Sequence, residues 1–466
     1  MRDFLEIINY VFIFYFVLLN GSYLVMSVIA IRTLVRYARR KRLLHLQEQT
    51  ASGTAPPIAI IAPMYNEEAV CAVSVRSLLG LRYPSYGVIL VNDGSTDNTL
   101  EHLIRAFEFV PVDIMPTASI PTAEIKTVYR SVDQKRLWLI DKKNGGKADA
   151  LNAGINYCRA PLFCAIDADT LLESDGLMRV VQPFLEDSDV IASGGIVRIV
   201  NNCTVASGQV VDVRLPTNEL ARLQVTEYLR AFLSGRVAWD VLQMVVIISG
   251  AFGLFRRSVV IDAGGFSTDT IGEDMELIVR LHRHCREKRI PYKIRYIPDP
   301  VAWTEAPESM RVLGRQRDRW QRGLAQVLVA NIGMVLNPRY GRIGMLALPY
   351  FFVFELLGPI LEIFGYGLFV FSMLIGAISA PVAIAFFMVA FVLGVALSLA
   401  AVTLEELSFR RYSSYRDLFG LFRLAITENF GYRQLNTFWR VKGLWSFARG
   451  KTGWGEMTRK GFATSQ

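Results

Sequence analysis

Long uncharged apolar runs separate membrane-like parts of the chain from a central stretch of soluble character. Residues 7–31 carry no charged side chain over 25 positions, which is long enough for one helix to cross a bilayer. Between Arg342 and Glu405 only Glu355 and Glu362 are charged, which leaves room for two further helices near 346–375 and 380–404. The hydropathy pattern therefore predicts three transmembrane helices, with the short "GAISAP" connecting the second and third.

The central stretch alternates short apolar, β-rich runs with helical patterns. It follows the linker "TASGTAPP", and its runs are "IAIIAP", "GVILVNDG", "RLWLID" and "LFCAIDAD", each ending in polar, glycine-rich or acidic residues. Strand–helix alternation of this kind is typical of an α/β fold with a mostly parallel sheet and a ligand site at the carboxyl ends of the strands.

Basic residues crowd beside the apolar runs and predict the orientation of the chain. "RTLVRYARRKR" follows the first span, so the positive-inside rule places the central stretch in the cytoplasm and the N-terminus outside. A signal peptide is the alternative, but the run is too long, its start is acidic and no A-x-A site follows. We expect a multi-pass protein of the inner (plasma) membrane.

Composition narrows the classes of partner. The net charge is +9, and the basic residues are concentrated near the predicted spans. This position favours membrane lipids as the anionic partner and argues against nucleic acid. The aromatic and basic tail from "YRDLFGLFRL" onward predicts amphipathic helices on the membrane surface; a fourth span would have to bury Arg423 and Glu428. The five cysteines are isolated, without CxxC spacing, as in proteins of a reducing compartment.

The segment "AIDADT" is the strongest candidate for chemistry. Asp167 and Asp169 are two carboxylates at the end of a buried strand, where they repel each other unless a cation lies between them. Oxygen ligands of this kind favour Mg²⁺ or Mn²⁺ over Zn²⁺. The structural alternative is a helix cap with a surface aspartate beside it.

Three other motifs carry a functional and a structural interpretation each. "DKKNGGKADALNAG" offers Lys147 to an anion near a helix N-terminus, or is a plain turn. "GEDMELIVRLH" starts an amphipathic helix, where Asp274 suits the helix dipole or serves as a general base. "QRDRWQRG" puts Gln316, Arg319 and Trp320 on one helical face, for a diphosphate and a sugar or for a membrane-surface helix.

Taken together, the order and spacing of the motifs resemble the family 2 glycosyltransferases. They are "APMYNEE", "VNDGSTD", "NGGKADALN", "DAD", "SGAFGLFRR", "GED" and "QRDRW". Within that family the likeness is to membrane-embedded processive synthases of cellulose, chitin, hyaluronan and poly-N-acetylglucosamine. It implies a GT-A (Rossmann-like) domain, and the expected division is a span and basic segment at 1–45, the GT-A domain at 56–305, an interfacial helix at 306–340, two spans at 341–405 and an amphipathic tail at 406–466.

The resemblance also implies roles for the motif residues. Asp93 would contact the uridine of a UDP-sugar, with Tyr65 and Glu67 nearby, and Lys147 would lie near the nucleotide. Asp167 and Asp169 match the DxD pair, with Asp169 the direct ligand of Mg²⁺ or Mn²⁺. Asp274 matches the base that deprotonates the acceptor hydroxyl. The diphosphate and the acceptor sugar would be held by Gln316, Arg319 and Trp320.

Three features depart from the pattern of cellulose synthases, the first being that only three spans are clear. Gly272 stands where "TED" usually has Thr, and no gating segment of that type follows "QRDRW". The tail "KTGWGEMTRKGF" is the candidate substitute, in which Trp454, Arg459 and Lys460 would close over bound UDP; a surface-bound tail is the alternative. Glu355 and Glu362 are expected to face a polar channel, to lie at the interface or to meet a partner's helix.

The expected activity is metal-dependent, inverting transfer from a UDP-sugar to a growing β-linked polysaccharide, processive and coupled to export. A non-processive enzyme with a membrane lipid acceptor is the alternative. A silent nucleotide-sugar sensor is a further hypothesis, opposed by the presence of all three catalytic and DxD aspartates. The segment "SGAFG" resembles the poly-N-acetylglucosamine branch more than the cellulose synthases, and that resemblance favours UDP-N-acetylglucosamine over UDP-glucose as the donor. Linkage, primer, oligomeric state and any small membrane or export subunits are not encoded in motif spacing.

Overall fold

A computed structural model describes residues 2–43, 55–206, 208–412 and 414–451. The chain forms two compact units. We call them the sheet unit, which comprises the described parts of Arg39–Arg214 and Val245–Ala306, and the helical unit, which comprises those of Met1–Ala38, Leu215–Met244 and Pro307–Thr458.

Strands and helices are numbered along the whole chain. The strands are β1 (Ile58–Met64), β2 (Tyr86–Asp93), β3 (Phe109–Pro111), β4 (Ile125–Ser131), β5 (Leu137–Lys142), β6 (Leu162–Ile166), β7 (Leu171–Leu172), β8 (Val190–Ile199), β9 (Thr204–Ala206), β10 (Gln209–Asp212), β11 (Phe252–Arg256) and β12 (Lys293–Thr304). The helices are α1 (Arg2–Leu43), α2 (Cys71–Leu79), α3 (Thr99–Ala106), α4 (Lys147–Tyr157), α5 (Gly176–Glu186), α6 (Glu219–Tyr228), α7 (Val237–Val241), α8 (Arg257–Asp262), α9 (Glu273–Glu287), α10 (Met310–Ala330), α11 (Leu348–Tyr350), α12 (Gly358–Leu374), α13 (Ala380–Phe387), α14 (Leu393–Ser408), α15 (Tyr415–Thr427) and α16 (Tyr432–Ala448).

The sheet unit is built on a mixed sheet with the order β3-β4-β5-β2-β1-β6-β11-β8-β12-β7. Its centre, β5-β2-β1-β6, is parallel, with Ile60 opposite both Val88 and Cys164. These four strands are the four apolar runs predicted from the sequence. The flanking pairings are antiparallel except that of β8 with β12, so the α/β, GT-A-like fold is confirmed, but the sheet is mixed rather than mostly parallel.

Burial on both faces explains why the central strands have continuous apolar sequences. Every residue of β6 is buried, and in β1 only Pro63 is partly exposed. A strand that is covered on both faces shows no alternation of polar and apolar residues. Their polar residues consequently come at the strand ends, where the chain turns.

The helical unit contains the apolar helices. Phe4–Tyr37 and Ala380–Ser408 are long and apolar enough to cross a membrane, and Phe16 of the first packs against Phe386 of the second. A third candidate is a bent pair, Ile343–Leu356 and Gly358–Leu374, whose axes differ by 43°. The span expected near 346–375 thus lies on a bent helix pair, and the number of membrane crossings stays a prediction.

Pro359 gives the physical reason for the break. Proline has no N–H to donate, and its ring clashes with the carbonyl four residues earlier, which here belongs to Glu355. The carbonyls of Glu355 and Leu356 instead accept hydrogen bonds from Nε2 of Gln321, at 3.0 and 3.3 Å. Arg440 adds a donor to the Glu355 carbonyl at 2.6 Å. Side chains of α10 and α16 therefore cap the freed carbonyls of the bend.

Helices α10 and α16 pack closely because small residues lie at their contacts. A Cβ on Gly314 would lie 2.8 Å from Nε1 of Trp439, and one on Gly443 would lie 2.7 Å from the carbonyl of Asp318. The tail helix α16 is therefore an integral part of the helical unit.

Candidate active site

Polar side chains of the sheet unit meet where the parallel strands end. Because β5, β2, β1 and β6 are neighbours with the same direction, their carboxyl ends lie side by side. The residues at or just after those ends include Tyr65, Asp93, Lys142 and Asp167. The carboxyl edge of a parallel sheet is the usual position of a ligand site in such folds.

Asp93, at the end of β2, is 3% exposed and holds the loop between β5 and α4. Its Oδ1 accepts hydrogen bonds from Nζ of Lys142 at 2.5 Å and from the N–H of Gly145 at 3.0 Å. Its Oδ2 accepts from the N–H of Gly146 at 2.8 Å. The structure thus joins the "VNDGSTD" and "NGGKADALN" motifs through one buried carboxylate.

Lys147 is the first residue of α4 and connects three other segments. Its Nζ lies 2.6 Å from Oδ1 of Asp167 and 3.1 Å from Oε1 of Glu273, and it donates to the carbonyl of Gly250 at 3.3 Å. Burial alone would lower the pKa of Lys147, but the two carboxylates outweigh it and raise that pKa. The lysine is therefore a fixed cation at the strand ends.

Asp274 lies in the first turn of α9 and is partly exposed. Its Oδ2 accepts a hydrogen bond from the N–H of Gly250 at 3.0 Å, and its Oδ1 accepts from the N–H of Met275 at 2.8 Å. Two backbone donors thus fix the direction of the carboxylate. Its neighbour Glu273 is buried, which raises the pKa of that carboxyl group against the opposing effect of Lys147.

The turn after β6 carries the DxD pair. The N–H of Thr170 donates to the carbonyl of Asp167 at 3.1 Å, and Oγ of Ser74 donates to the carbonyl of Ala168 at 2.5 Å, which fixes the backbone of the turn. Asp169 is 7% exposed, whereas the side chain of Asp167 is 30% exposed. The two carboxylates therefore differ in their access to solvent.

The donor set fits a Mg²⁺ or Mn²⁺ ion held together with a diphosphate. Carboxylate oxygens are the ligands that these ions prefer. Within the described ranges no cluster of three or more His, Cys, Asp or Glu side chains could hold a metal ion. Asp167 and Asp169 would supply two carboxylate groups to such an ion.

Tyr65 and Glu67 lie in the turn that follows β1. Tyr65 is half-exposed, and Asn66 beside it has a left-handed backbone with φ of 56°. Oδ1 of Asn66 accepts from the N–H of Thr96 at 2.8 Å, and the N–H of Glu67 donates to Oγ1 of Thr99 at 2.9 Å. These bonds lock the "MYNEE" turn to the "VNDGSTD" turn.

The "QRDRW" residues belong to α10 of the helical unit. Arg317 and Gln321 are buried, whereas Trp320 is 45% exposed. The guanidinium of Arg317 lies 4.2 Å from the ring centre of Trp320 and forms an ion pair with Glu227 at 2.9 Å. Gln316 is partly exposed, and in the described part of the chain its buried Oε1 accepts no hydrogen bond. Packing of the helical unit thus leaves the Trp320 ring accessible to solvent, whereas the Gln316 oxygen is buried.

Glu355 and Glu362 both meet the tail helix α16. Oε2 of Glu355 accepts from Arg440 at 2.9 Å, and its Oε1 accepts from the hydroxyl of Tyr23 at 3.0 Å. Glu362 accepts from Oγ1 of Thr437 at 2.9 Å. The channel role stays a prediction, and the candidate gating residues Trp454, Arg459 and Lys460 lie outside the described residues.

Several residues of the site were not predicted from the sequence. Lys142 and Glu273 lie inside the motifs "DKKNGGKADALNAG" and "GEDMELIVRLH" but were given no role, and Gly250 is the first glycine of "SGAFG". A buried lysine at the end of an apolar run, between "VNDG" and "NGGK", was the available clue for Lys142. Their contacts depend on elements far apart in the chain.

Comparisons with known proteins agree with the motifs. The model of the family described as glycosyltransferase like family 2 matches residues 56–323. The poly-beta-1,6-N-acetyl-D-glucosamine synthase of Staphylococcus aureus is 28% identical over 275 residues, which are 58% of this chain and 55% of that protein. The Staphylococcus epidermidis synthase of the same name is 27% identical over 295 residues, which are 62% and 59% of the two chains. The aligned part of this chain thus spans little more than half the length of these relatives.

Among solved structures, a mannosyltransferase from Pyrobaculum calidifontis in complex with GDP-Man and Mn²⁺ superposes on 88% of this chain and 99% of its own, with a TM-score of 0.49 and 20% identity. The family model, by contrast, covers more than half of the chain and includes every motif from "APMYNEE" to "QRDRW". On that match the chain is a glycosyltransferase and belongs to the glycosyltransferase like family 2.

Proposed function

We propose that this glycosyltransferase extends a β-linked polysaccharide from UDP-N-acetylglucosamine and exports the product across the membrane as it grows. The similarity to two staphylococcal poly-beta-1,6-N-acetyl-D-glucosamine synthases supports this donor and product. The observation that carries the proposal is the contact of Lys147 with both Asp167 and the start of α9, where Asp274 lies. A cation for the leaving group and a base for the acceptor thus lie on neighbouring segments.

Asp274 is the proposed general base. Its carboxylate takes the proton of the acceptor hydroxyl, whose oxygen attacks the anomeric carbon on the side opposite the diphosphate. The new carbon–oxygen bond forms as the bond to the diphosphate breaks, UDP leaves with the electron pair, and an α-linked donor gives a β-linkage. The backbone donors of Gly250 and Met275 keep the carboxylate aimed without a side-chain rearrangement.

The second requirement of the reaction is that the negative charge on the departing UDP be neutralised. Lys147, whose side chain is 18% exposed, supplies a fixed positive charge beside Asp167. Asp167 and Asp169 would hold the Mg²⁺ or Mn²⁺ ion, which neutralises the diphosphate when bound. Asp93 holds the loop that leads to Lys147. We assign Asp93, Tyr65 and Glu67 to the subsite that binds the nucleotide.

The "QRDRW" residues of the helical unit are assigned to ligand binding as well. We propose that Gln316, Arg319 and Trp320 bind the diphosphate and the acceptor sugar, with the exposed Trp320 ring as a stacking surface. The basic segment after the first apolar helix supports a cytoplasmic sheet unit and an N-terminus outside. Attachment of a reporter protein to each terminus, active only on one side of the membrane, tests this orientation.

The test uses the purified full chain in lipid vesicles with Mn²⁺ or Mg²⁺ and one radiolabelled UDP-sugar at a time. We expect high-molecular-weight label from UDP-N-acetylglucosamine, lost in Asp274→Asn and retained in Asp269→Asn, which changes an exposed aspartate on the same segment. Label confined to a small lipid-extractable product would establish the glycolipid enzyme instead. Transfer by Asp274→Asn at the wild-type rate would refute the base assignment.

A further inference from the structure

Lys142, the last residue of β5, is completely buried between two carboxylates. Its side chain is 0% exposed, and those of Asp93 and Asp149 are 4% and 10% exposed. Nζ donates to Oδ1 of Asp93 at 2.5 Å and to the carbonyl of Lys143 at 2.6 Å, and it forms an ion pair with Oδ1 of Asp149 at 2.6 Å. These three groups come from the end of β2, the β5–α4 loop and the first turn of α4.

The burial of Lys142 calls for an explanation, because moving a charged group out of water costs free energy. An ammonium group without water or counter-ions is destabilised by several kcal/mol, and even a buried pair often does no more than break even with apolar side chains. Hydrophobic packing alone would therefore place a leucine or methionine here more favourably. The lysine instead ties together the end of β2, the β5–α4 loop and the first turn of α4.

The loop that Lys142 organises leads directly to Lys147. Asp93 accepts the N–H groups of Gly145 and Gly146, and Gly146 has φ of 88°, a conformation that favours glycine. Oδ2 of Asp149 accepts the N–H of Ala123 at 2.9 Å. A Cβ on Gly145 would lie 2.6 Å from Oδ1 of Asp149, so the loop passes tightly between the two carboxylates that Lys142 pairs with.

We propose that Lys142 is a positioning residue of the donor site. It holds Asp93 and Asp149 at a fixed separation, and thereby sets the loop and the first turn of α4 so that Lys147 meets Asp167. This inference rests on the proposed UDP-sugar activity and adds to it a residue that touches neither donor nor acceptor. Its loss would act on donor affinity through the loop geometry.

The experiment measures binding of UDP in the presence of Mn²⁺ to the full chain in detergent, beside its melting temperature. We expect Lys142→Met to raise the Kd of UDP by about 10- to 100-fold, by analogy with the loss of groups that orient metal ligands. Asp149→Asn, which keeps the Lys142–Asp93 bond, should raise it less. Lys143→Met is the matched control, because Lys143 and its partner Glu124 are each 64% exposed, and it should leave the Kd within twofold.

A kinetic measurement separates positioning from general destabilisation. With radiolabelled UDP-N-acetylglucosamine, Asp149→Asn and any folded Lys142→Met protein should raise the KM of the donor more than they lower kcat. Should Lys142→Met fail to fold, Asp149→Asn decides the matter by itself: an unchanged Kd and KM would overturn the proposal. Failure of the wild-type chain to bind UDP would instead count against the proposed function, so the two failures are distinguishable.

Discussion

Gly250 lies between the proposed base and the proposed leaving-group cation. Its N–H donates to Asp274 at 3.0 Å, and its carbonyl accepts from Lys147 at 3.3 Å. A Cβ at this position would lie 2.8 Å from Nζ of Lys147 and 3.5 Å from Oδ2 of Asp274. Because the φ of Gly250 is outside the left-handed region, alanine fits its backbone, and Gly250→Ala tests the position of Lys147 almost alone.

The structure gives the size of the expected effect. Nζ of Lys147 would have to move about 0.6 Å to bring the contact from 2.8 Å to the 3.4 Å at which ordinary van der Waals contact begins. If its 2.6 Å ion pair with Asp167 lengthened by that amount, it would lose about 1 kcal/mol at an effective dielectric constant of ~20. We therefore expect kcat/KM for the donor to fall at least about fivefold, and up to about 100-fold if the reacting groups are misplaced.

The assay compares Gly250→Ala with Gly80→Ala by initial rates of label transfer and by thermal unfolding. A Cβ on Gly80 would meet its nearest atoms at 3.5 and 3.6 Å, and this residue lies at the end of α2 away from the candidate site. Gly250→Ala should lose activity with little change in melting temperature, and Gly80→Ala should keep its activity. A folded Gly250→Ala protein within twofold of the wild-type rate would refute the role of Lys147.

Three further predictions concern other parts of the molecule. Arg440→Met removes the donors to the carboxylate and carbonyl of Glu355 and should cost about 1–3 kcal/mol, seen as a lower melting temperature in detergent. Arg449→Met, which changes the exposed residue directly after α16, should cost little, and equal losses would contradict the capping of the bend. Burial lowers the pKa of His282 to about 4. Between about pH 6.5 and pH 4 only the unfolded chain therefore binds the proton, and the free energy of unfolding decreases by up to about 3 kcal/mol as the pH is lowered through this range. His282→Gln should flatten that dependence in unfolding measurements, and an unchanged slope would disprove it. Asp169→Asn should raise the Mn²⁺ concentration for half-maximal activity by at least about tenfold, and an unchanged metal titration would exclude Asp169 as a ligand.

The sequence by itself determined the elements and the motifs they carry. Strands β1, β2, β5 and β6 were predictable because burial on both faces leaves continuous apolar runs of strand length. Their polar ends, which include Asp93 and Asp167, follow from the same pattern. The start of α9 at Glu273 was predictable too, since local amphipathicity and acidic residues at a helix N-terminus are encoded within a few positions.

The tertiary structure alone decided which charges meet. Lys147 pairs with Asp167 and Glu273, the latter more than a hundred positions away, and Lys142 rather than Lys143 enters the core. Hydropathy does not distinguish two adjacent lysines, whereas the strand register turns one inward and the other to solvent. The same holds for Glu355, which hydropathy presents as an isolated membrane carboxylate and the fold pairs with Arg440 of α16. Local patterns record which apolar runs are buried, but the partner of a buried charge depends on the packing of distant elements, which no local pattern contains.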